Sequence, residues 1–420
     1  MHRPASEFAQ TSLPAPGTMT VDWEERVDMA RLRDYRLSRA RQALENSELG
    51  ALLVFESSNV RYLTSTHIGT WAYNKTERWA LLTRTGDPWI WDFGSAAVNH
   101  RLYSPWLDPD HSRGGNTGLQ GAMRPQGGLP DRAAAEIAAI LREEGVADMP
   151  LGLDVTEIPV LRALEAEGLD VRDGQQTMLD AREIKNVDEI MLLNQAASMV
   201  DGVYQDIYEA LKPGVRESDI AALATKRLIE MGSEQVEAIN AISGERCSPH
   251  PHVYSDRLIR PGDQAYFDII HAYNGYRTCY YRTFAVGRAT QAHHDAYKQT
   301  RELIDAAIEM VKPGVSTDQI ARLWPKAEEF GFSSEMEAFG LQFGHGLGLG
   351  LHERPIISRL NSLEDPVEIK QGMVFALETF WPAADGHSAA RIEEEIVVTE
   401  DGCELLTLFP AEELVITNQY

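Results

Sequence analysis

The sequence has few cysteines, and their spacing pairs none of them. Cys247, Cys279 and Cys403 are the three cysteines among 420 residues, and no Cys-x-x-Cys pair occurs. An odd number without close spacing argues against a disulfide framework and against a cysteine-rich zinc module. With 43% hydrophobic and 25% charged residues, the composition is that of a folded globular protein rather than a disordered chain.

The sequence also lacks an excess of basic charge and long apolar runs. Lysine and arginine number 39 against 64 acidic residues, which gives a formal net charge of −25. This balance disfavours non-specific binding to nucleic acid or to anionic lipid, because both depend on a basic surface. No run of about 18 apolar residues occurs, and residues 1–20 lack the apolar segment of a signal peptide. We therefore expect a cytoplasmic enzyme with neither a nucleic-acid nor a membrane partner.

Strand and helix patterns alternate in the first 180 residues, which predicts an α/β domain. Asp131 is expected to cap a helix that ends before Gly145. The glycine-rich segment 108–129 has the composition of a long loop. Apolar runs predict buried strands at 51–55, 80–82, 89–91 and 151–155.

The second half of the chain begins with a helix and contains an internal repeat. Asn186 and Glu189 form a capping-box pattern, and apolar residues at helical spacing follow as far as a Pro-Gly turn. Residues 211–223 align without gaps to residues 311–323, and each copy follows a long predicted helix. We predict two copies of a helix–turn–helix unit, with the active site between them.

These patterns divide the chain into three parts, with a boundary near residues 179–185. We predict a loose tail over residues 1–22, an accessory domain over residues 23–180 and a catalytic domain over residues 186–420.

A predicted hairpin directs two metal-binding side chains to one place. The Asn274-Gly275 pair between β-favouring residues is a strong two-residue turn signal. With this turn, Asp268 lies opposite Tyr281 and diagonally next to Cys279, with Cα atoms roughly 7–8 Å apart. One cation can therefore reach both Asp268 and Cys279. His271 falls on the other face of the hairpin, which makes it a poor joint ligand.

Two histidines lie close together in a glycine-rich segment. His345 and His352 are flanked by glycines, but the segment lacks the Lys-Ser/Thr ending of a phosphate-binding loop. The glycines are more typical of backbone that passes close to a packed site.

Carboxylates interrupt two apolar strands near the end of the chain. Glu378 lies inside an apolar strand, which is costly unless the carboxylate is paired or bound to metal. On the next strand, side-chain alternation directs either Glu393 with Glu395, or Glu394 alone, toward the same place.

In their order and spacing, the motifs around Asp268, His345, His352, Glu378 and Glu393 resemble the pita-bread metallopeptidase superfamily. That group includes methionine aminopeptidase, aminopeptidase P, prolidase, creatinase, ectoine hydrolase and a dimethylsulfoniopropionate lyase. The resemblance covers about residues 186–420, and the N-terminal half is similar to the accessory domain of the aminopeptidase P and creatinase branch. It implies an α/β accessory domain, an α+β pita-bread catalytic domain with a pseudo-two-fold repeat, and a homodimer.

The resemblance also implies a site for one or two divalent metal ions. Cys279 stands where the family has a metal-bridging aspartate, three residues before Arg282. A thiolate is a softer ligand and favours Zn²⁺ or Fe²⁺ over Mn²⁺, so Fe, Zn and Mn stay open, as does the number of ions. The implied metal ligands are Asp268, Cys279, His345, Glu378 and Glu393.

Roles in catalysis follow from the same resemblance. Glu378 is expected to orient the attacking water or to take its proton. His352 matches the second family histidine, and the first is either His250 or His252, which the spacing does not separate. Arg61 and Trp71 of the accessory domain are expected to bind substrate.

Three functions are compatible with these residues. The main prediction is a metal-dependent hydrolase that cleaves a C–N bond in an Xaa-Pro dipeptide, a short peptide, or a small amide or amidine. The second is a lyase that acts on a small onium carboxylate such as dimethylsulfoniopropionate, which the aromatic residues Trp71 and Trp79 favour. The third is a non-catalytic binding module with a degenerate metal site, suggested by Cys279. A direct nucleophilic role for that thiol lacks a visible third group to orient its base.

Overall fold

The computed structural model describes residues 27–69 and 77–419, which divide into two compact units. The chain passes from the first unit to the second between Arg182 and Glu183. The predicted tail and the candidate residue Trp71 lie outside the described residues. Within the described part of the chain, no helix is both long enough and apolar enough to cross a membrane.

The N-terminal unit is an α/β domain, as predicted. Its strands are β1 (Ala51–Val54), β2 (Trp79–Thr83), β3 (Trp89–Asp92), β4 (Ser112–Gly114), β5 (Leu151–Leu153) and β6 (Val171–Asp173). Its helices are α1 (Met29–Asn46), α2 (Ser57–Thr64), α3 (Ser95–Tyr103), α4 (Leu129–Glu143), α5 (Ile158–Ala166) and α6 (Gln175–Arg182). The strands form one mixed sheet in the order β4-β3-β2-β1-β5-β6, in which β1 is antiparallel to β2 and parallel to β5.

Two local predictions in this unit were wrong. Helix α4 begins at Leu129 with Gly128 at its N-cap, so Asp131 lies in the first turn rather than at the cap. Pro130 explains the earlier start, because its fixed φ suits the first helical turn. The glycine-rich segment 108–129 is not all loop, since β4 pairs with β3 as a parallel edge strand.

The tryptophan Trp79 of this unit is a core residue. It is 1% exposed, and its ring stacks on Phe55 and on Trp91 with centroid distances of 5.7 and 5.8 Å. Trp79 therefore has a role in core packing and does not support a lyase pocket. Arg61 lies half-buried on α2, and its role in substrate binding stays a prediction.

The C-terminal unit combines two sheets with flanking helices. Its strands are β7 (Gln235–Ser243), β8 (Gln264–Tyr273), β9 (Tyr276–Val286), β10 (Phe343–Gly346), β11 (Glu353–Ile357), β12 (Val374–Pro382), β13 (Ala389–Val398), β14 (Cys403–Leu405) and β15 (Val415–Thr417). Its helices are α7 (Val187–Ala210), α8 (Glu217–Glu230), α9 (Gln291–Met310), α10 (Thr317–Ala321) and α11 (Glu335–Ala338). One sheet has the order β15-β9-β8-β7 and the other the order β11-β10-β12-β13-β14. As predicted, Asn186 and Glu189 form a capping box at the start of α7.

The two copies of the internal repeat adopt the same turn. Gly214 and Gly314 have φ values of +91° and +86°, a left-handed conformation that favours glycine. Their N–H groups donate to the carbonyl oxygens of Ile259 and Ile369 at 2.8 and 2.9 Å. Each turn joins a long helix, α7 or α9, to the helix that follows it, although α10 is shorter than α8.

Strands β8 and β9 form the predicted hairpin in the predicted register. Asp268 pairs with Tyr281, so Cys279 lies two residues away on the same face. Asn274 and Gly275 have φ values of +48° and +86°, as the favoured two-residue hairpin turn requires. The turn therefore sets which side chains of the hairpin face the site.

Strands β9 and β13 connect the two sheets through hydrogen bonds of their side chains. The Thr283 hydroxyl donates to the Arg391 carbonyl oxygen at 2.7 Å and accepts from the Arg391 N–H at 2.9 Å. The guanidinium of Arg282 donates to the Glu393 carbonyl oxygen. These contacts bring the β8–β9 hairpin next to the strands that carry the remaining candidate ligands.

Candidate metal centre

All five predicted ligands are buried on strands of the C-terminal unit, and none is more than 4% exposed. Strand pairing aligns the three predicted ligands of the second sheet. Phe343 lies opposite Glu378, and Glu378 lies opposite Glu393. His345 is two residues beyond Phe343 and so shares this face. The five are Asp268 on β8, Cys279 on β9, His345 on β10, Glu378 on β12 and Glu393 on β13.

The ligand atoms of these residues converge on one place. One atom each from Cys279, His345 and Glu393 lie within 4.8 Å of one another. Cys279 Sγ is 3.3 Å from Asp268 Oδ1 and 3.9 Å from Glu393 Oε2. His345 Nε2 is 3.5 Å from Glu378 Oε1 and 3.6 Å from Glu393 Oε1. The structure therefore brings together side chains that span 126 residues, from position 268 to position 393.

Unpartnered atoms at the centre of this group fit a bound cation. His345 Nδ1 donates to the Leu351 carbonyl oxygen at 2.8 Å, so in the neutral ring Nε2 carries a lone pair. That lone pair faces carboxylate oxygens, and neither His345 Nε2 nor Glu393 Oε1 has a hydrogen-bond partner among residues 27–69 and 77–419. Buried acceptors that face one another are unfavourable without a positive charge between them, so the donor set suits a divalent metal ion.

The electrostatics of the centre agree with a missing positive charge. Burial and the Glu378 carboxylate raise the pKa of Asp268 to about 6. Burial, Glu378 and Asp268 also raise the pKa of Glu393 well above its usual range. Burial and the neighbouring carboxylates raise the pKa of the Cys279 thiol in the same way. Buried groups that resist ionisation here would ionise beside a bound cation.

Glu378 is already paired with a positive charge. Arg391 forms an ion pair with Glu378 Oε2, and both side chains are buried. Burial raises the pKa of Glu378, but the guanidinium of Arg391 outweighs it, so the net shift is downward. Glu378 is therefore a carboxylate at neutral pH, with its Oε1 atom directed at the centre.

The structure shows which glutamates of β13 face the site, a choice that the sequence left open. Glu393 and Glu395 face the site, and Glu395 Oε1 accepts from the Cys279 N–H and the Thr278 hydroxyl, both at 2.6 Å. Glu394 faces the other side, where Arg282 donates to it at 2.8 Å. Glu395 thus supports the backbone of Cys279 instead of reaching the ligand cluster.

The two candidate histidines of the loop before β8 have different environments. His250 is buried, and its Nδ1 accepts from the His252 N–H at 3.1 Å. The ring proton is then on Nε2, which donates to Tyr281 Oη at 2.7 Å. Burial, and then Arg391, lowers the pKa of His250, so the ring is neutral. The His252 ring is exposed and stacks on His250 with centroids 3.8 Å apart.

His352 borders the centre from the glycine-rich segment. Its exposed ring lies beside that of the candidate ligand His345, with centroids 4.7 Å apart. His252 and His352 are therefore solvent-accessible imidazoles, whereas His250 is committed to a hydrogen bond.

Two further residues of the site were missed by the sequence reasoning. Tyr281 shares a face with Asp268, and its ring lies 4.1 Å from the guanidinium of Arg391. Asn240 on β7 donates to Asp268 Oδ2 at 2.9 Å. The predicted hairpin register could have identified Tyr281, because it places that residue opposite Asp268. Nothing in the sequence pattern indicates Asn240.

The profile of metallopeptidase family M24 matches residues 191–400, which is half of the chain. The chain belongs to this family. Membership implies binding of a divalent metal ion and supports an enzyme, either a peptidase or a lyase. It also confirms the pita-bread fold of the C-terminal unit.

Relatives of two activities match different extents of the chain. Dimethylsulfoniopropionate lyase DddP of Roseovarius nubinhibens is 28% identical over 404 residues, which are 91% of this chain and 87% of the lyase. The Xaa-Pro dipeptidase of Pyrococcus furiosus is 34% identical over 236 residues, which are 54% of this chain and 64% of the dipeptidase. The lyase match thus takes in sequence from both units.

Solved structures agree on the fold. An Xaa-Pro dipeptidase from Bacillus anthracis has a TM-score of 0.73 at 21% identity and covers 91% of this chain and 99% of its own. An Escherichia coli aminopeptidase P variant has a TM-score of 0.64 at 18% identity, and the match covers 90% of this chain and 96% of the aminopeptidase. At this level of identity the likeness confirms an N-terminal domain followed by a pita-bread domain.

Proposed function

We propose that the protein is a metal-dependent hydrolase that cleaves a C–N bond in a small substrate. Xaa-Pro dipeptides, short peptides and small amides or amidines are the substrate classes. The observation that carries this proposal is the close approach of Cys279, His345 and Glu393, with the carboxylate of Glu378 beside them. Three protein ligands with an open position are typical of catalytic metal sites, whereas structural sites are closed.

We assign the role of the base to the carboxylate of Glu378. A divalent ion, when bound, supplies Lewis acidity and a water nucleophile that is active near neutral pH. Glu378 is deprotonated because Arg391 offsets its burial, and its Oε1 atom lies 3.5 Å from the ligand atom of His345. It can therefore act as the general base for an attacking water.

The exposure of two histidines supports a role for them in stabilising charge on the substrate. We assign hydrogen bonding to the developing oxyanion and to the leaving nitrogen to His252 and His352, which lie in two loops. The His352 ring lies beside that of His345, and the Glu378 carboxylate acts to raise the pKa of both His252 and His352 against their burial. His250 contributes indirectly, because its ring supports His252 by stacking and binds Tyr281.

A hydrolysis assay with matched variants tests this proposal. Protein reconstituted with Zn²⁺ or Fe²⁺ is incubated with Xaa-Pro dipeptides and with small amides and amidines, and release of the amine is measured. Glu378→Gln should lose hydrolysis because an amide cannot take the proton, while Glu364→Gln, in a surface turn, should retain it. Full hydrolysis by the Glu378→Gln protein would contradict the assignment of the base.

A lyase is the second candidate, and the extent of the lyase match favours it. The lyase relative covers 91% of this chain, whereas the dipeptidase relative covers 54%. In this reaction Glu378 would take the proton from the carbon next to the substrate carboxylate. A carbon–carbon double bond forms as the carbon–sulfur bond breaks, and dimethyl sulfide leaves with the electron pair.

One experiment separates the two reactions. Dimethylsulfoniopropionate and an Xaa-Pro dipeptide are offered to the same metal-loaded protein, and the products are identified by proton magnetic resonance. Acrylate with dimethyl sulfide would establish elimination, and free proline would establish hydrolysis. Vinyl protons in the first sample without proline in the second would overturn the hydrolase proposal.

A further inference from the structure

We infer that the centre binds one thiolate-ligated ion, with Cys279, His345 and Glu393 as its ligands, and that Asp268 belongs to the surrounding shell. This inference rests on the metal-dependent part of the proposed function. It departs from an aspartate-bridged two-ion site, and it concerns which residues bind metal rather than which substrate is used.

The unpartnered atoms mark the position of a single ion. Within the described part of the chain, His345 Nε2 and Glu393 Oε1 lack hydrogen-bond partners. The two atoms lie 3.6 Å apart and belong to residues that are 1% and 0% exposed. Cys279 Sγ completes the group within 4.8 Å. One cation at this point would satisfy all the unpartnered ligand atoms of the three residues.

One carboxylate oxygen of Asp268 already accepts a hydrogen bond from a buried protein donor. Its Oδ2 atom accepts from Asn240 Nδ2 at 2.9 Å, and its Oδ1 atom lies 3.3 Å from Cys279 Sγ. A second ion on Asp268 Oδ2 would compete with the Asn240 amide, which is itself buried. Losing a buried hydrogen bond of this kind is costly, which disfavours a second ion.

The residue at position 279 also changes the number of donor atoms. An aspartate there would offer two oxygens, one for each of two ions, whereas the thiolate offers one sulfur. Its backbone is fixed by Glu395, which accepts from the Cys279 N–H at 2.6 Å, so the sulfur has little freedom to move toward a second ion. Sulfur, imidazole and carboxylate together select Zn²⁺, Fe²⁺ or Co²⁺ over Mn²⁺.

A cobalt titration tests the inference without an activity assay. Full-length protein freed of metal with a chelator is titrated with Co²⁺, and bound cobalt is measured by equilibrium dialysis. We expect saturation at one ion per chain and a thiolate-to-cobalt charge-transfer band in the near ultraviolet. Zn²⁺ should compete the band away, whereas Mn²⁺ should not.

Cysteine variants assign the band to one sulfur. Cys279→Ser should lose the charge-transfer band, while Cys247→Ser should keep it, because Cys247 is equally buried but lies outside the cluster. Cys279→Asp should bind two ions without the band. Asp268→Asn should still bind one ion with the band.

Several results would overturn the one-ion inference. They are two ions or none bound by the unaltered protein, a band that survives in Cys279→Ser, and loss of the ion in Asp268→Asn. The measurements on the unaltered protein and on Cys247→Ser decide the matter even if another variant fails to fold. Two ions with intact hydrolysis would refute this inference alone, whereas one thiolate-bound ion without hydrolysis would refute the proposed hydrolase alone.

Discussion

A buried histidine on strand β8 should make the stability of the C-terminal unit depend on pH. His271 is 0% exposed and lies on the face of β8 opposite to Asp268. Its Nε2 atom donates to the Ala196 carbonyl oxygen at 3.0 Å, and Nδ1 lies 3.0 Å from Ser233 Oγ. Burial is the main cause that lowers the pKa of His271 from 6.5 to about 4.

The sign and size of the effect follow from that pKa. Above pH 6.5 the ring is neutral in both the folded and the unfolded chain, so it adds no pH dependence. As the pH falls, the unfolded chain binds the proton first, and stability is lost between about pH 6.5 and pH 4. The difference between the two pKa values of His271 corresponds to about 3 kcal/mol in total.

Urea unfolding at several pH values measures this loss. We compare the unaltered protein with His271→Gln, whose amide can still donate to Ala196 but does not titrate. Both are kept metal-free with chelator, so that metal binding does not add its own pH dependence. Between about pH 7 and pH 5 the unaltered protein should lose roughly 2 kcal/mol more than the variant. The control is His387→Gln, since the His387 side chain is 55% exposed.

Parallel stability curves for the unaltered protein and His271→Gln would refute the reasoning. The same variant also tests the strand register, because a histidine on the opposite face is not a ligand. Loss of metal binding in His271→Gln would mean that the face assignment is wrong.

Three further predictions concern the centre and the loop before it. Glu217→Ala should lower the free energy of unfolding in urea by about 3 kcal/mol, because the buried carboxylate accepts hydrogen bonds from Ser243 and Ser255 at both ends of that loop. Glu217→Gln should lower it less, and equal losses in the two variants would contradict a role for the charge. Tyr281→Phe should lower kcat about tenfold in steady-state assays without changing metal content, since it removes the partner of His250, and an unchanged kcat would contradict it. Chelator should abolish activity and lower the midpoint of thermal unfolding. Zn²⁺ at about 100 times its Kd should restore about 2.7 kcal/mol of the free energy of unfolding. A midpoint that changes with neither chelator nor Zn²⁺ would contradict a metal centre.

Local turn chemistry made part of the site predictable. The Asn274-Gly275 turn fixes the hairpin register, and the register decides that Asp268 and Cys279 share a face while His271 does not. Glu378 was recognisable because a carboxylate inside an apolar strand requires a partner. Both inferences use spacing over a few residues, where sequence and backbone geometry are closely linked.

Long-range contacts could not be predicted in this way. His250 and His252 differ because a loop conformation with φ of +53° at His252 places one ring under the other. The buried bonds of Glu217 depend on the folding of a loop far along the chain. Asn240 reaches Asp268 through pairing of β7 with β8, and the sequence shows no sign of it. Each case depends on a neighbour that the fold supplies.

The arrangement separates metal binding from the choice of reaction. The candidate ligand side chains of the centre are on strands, and strand pairing within each sheet fixes their directions. The exposed histidines His252 and His352 are on loops, which can change without disturbing the strands. A pita-bread fold can therefore keep one metal centre while loops around it select between breaking a C–N bond and removing a proton from carbon. Substitutions at His252 or His352 should accordingly change which substrate is used while metal content stays constant. Substitutions at His345 should abolish both metal binding and activity.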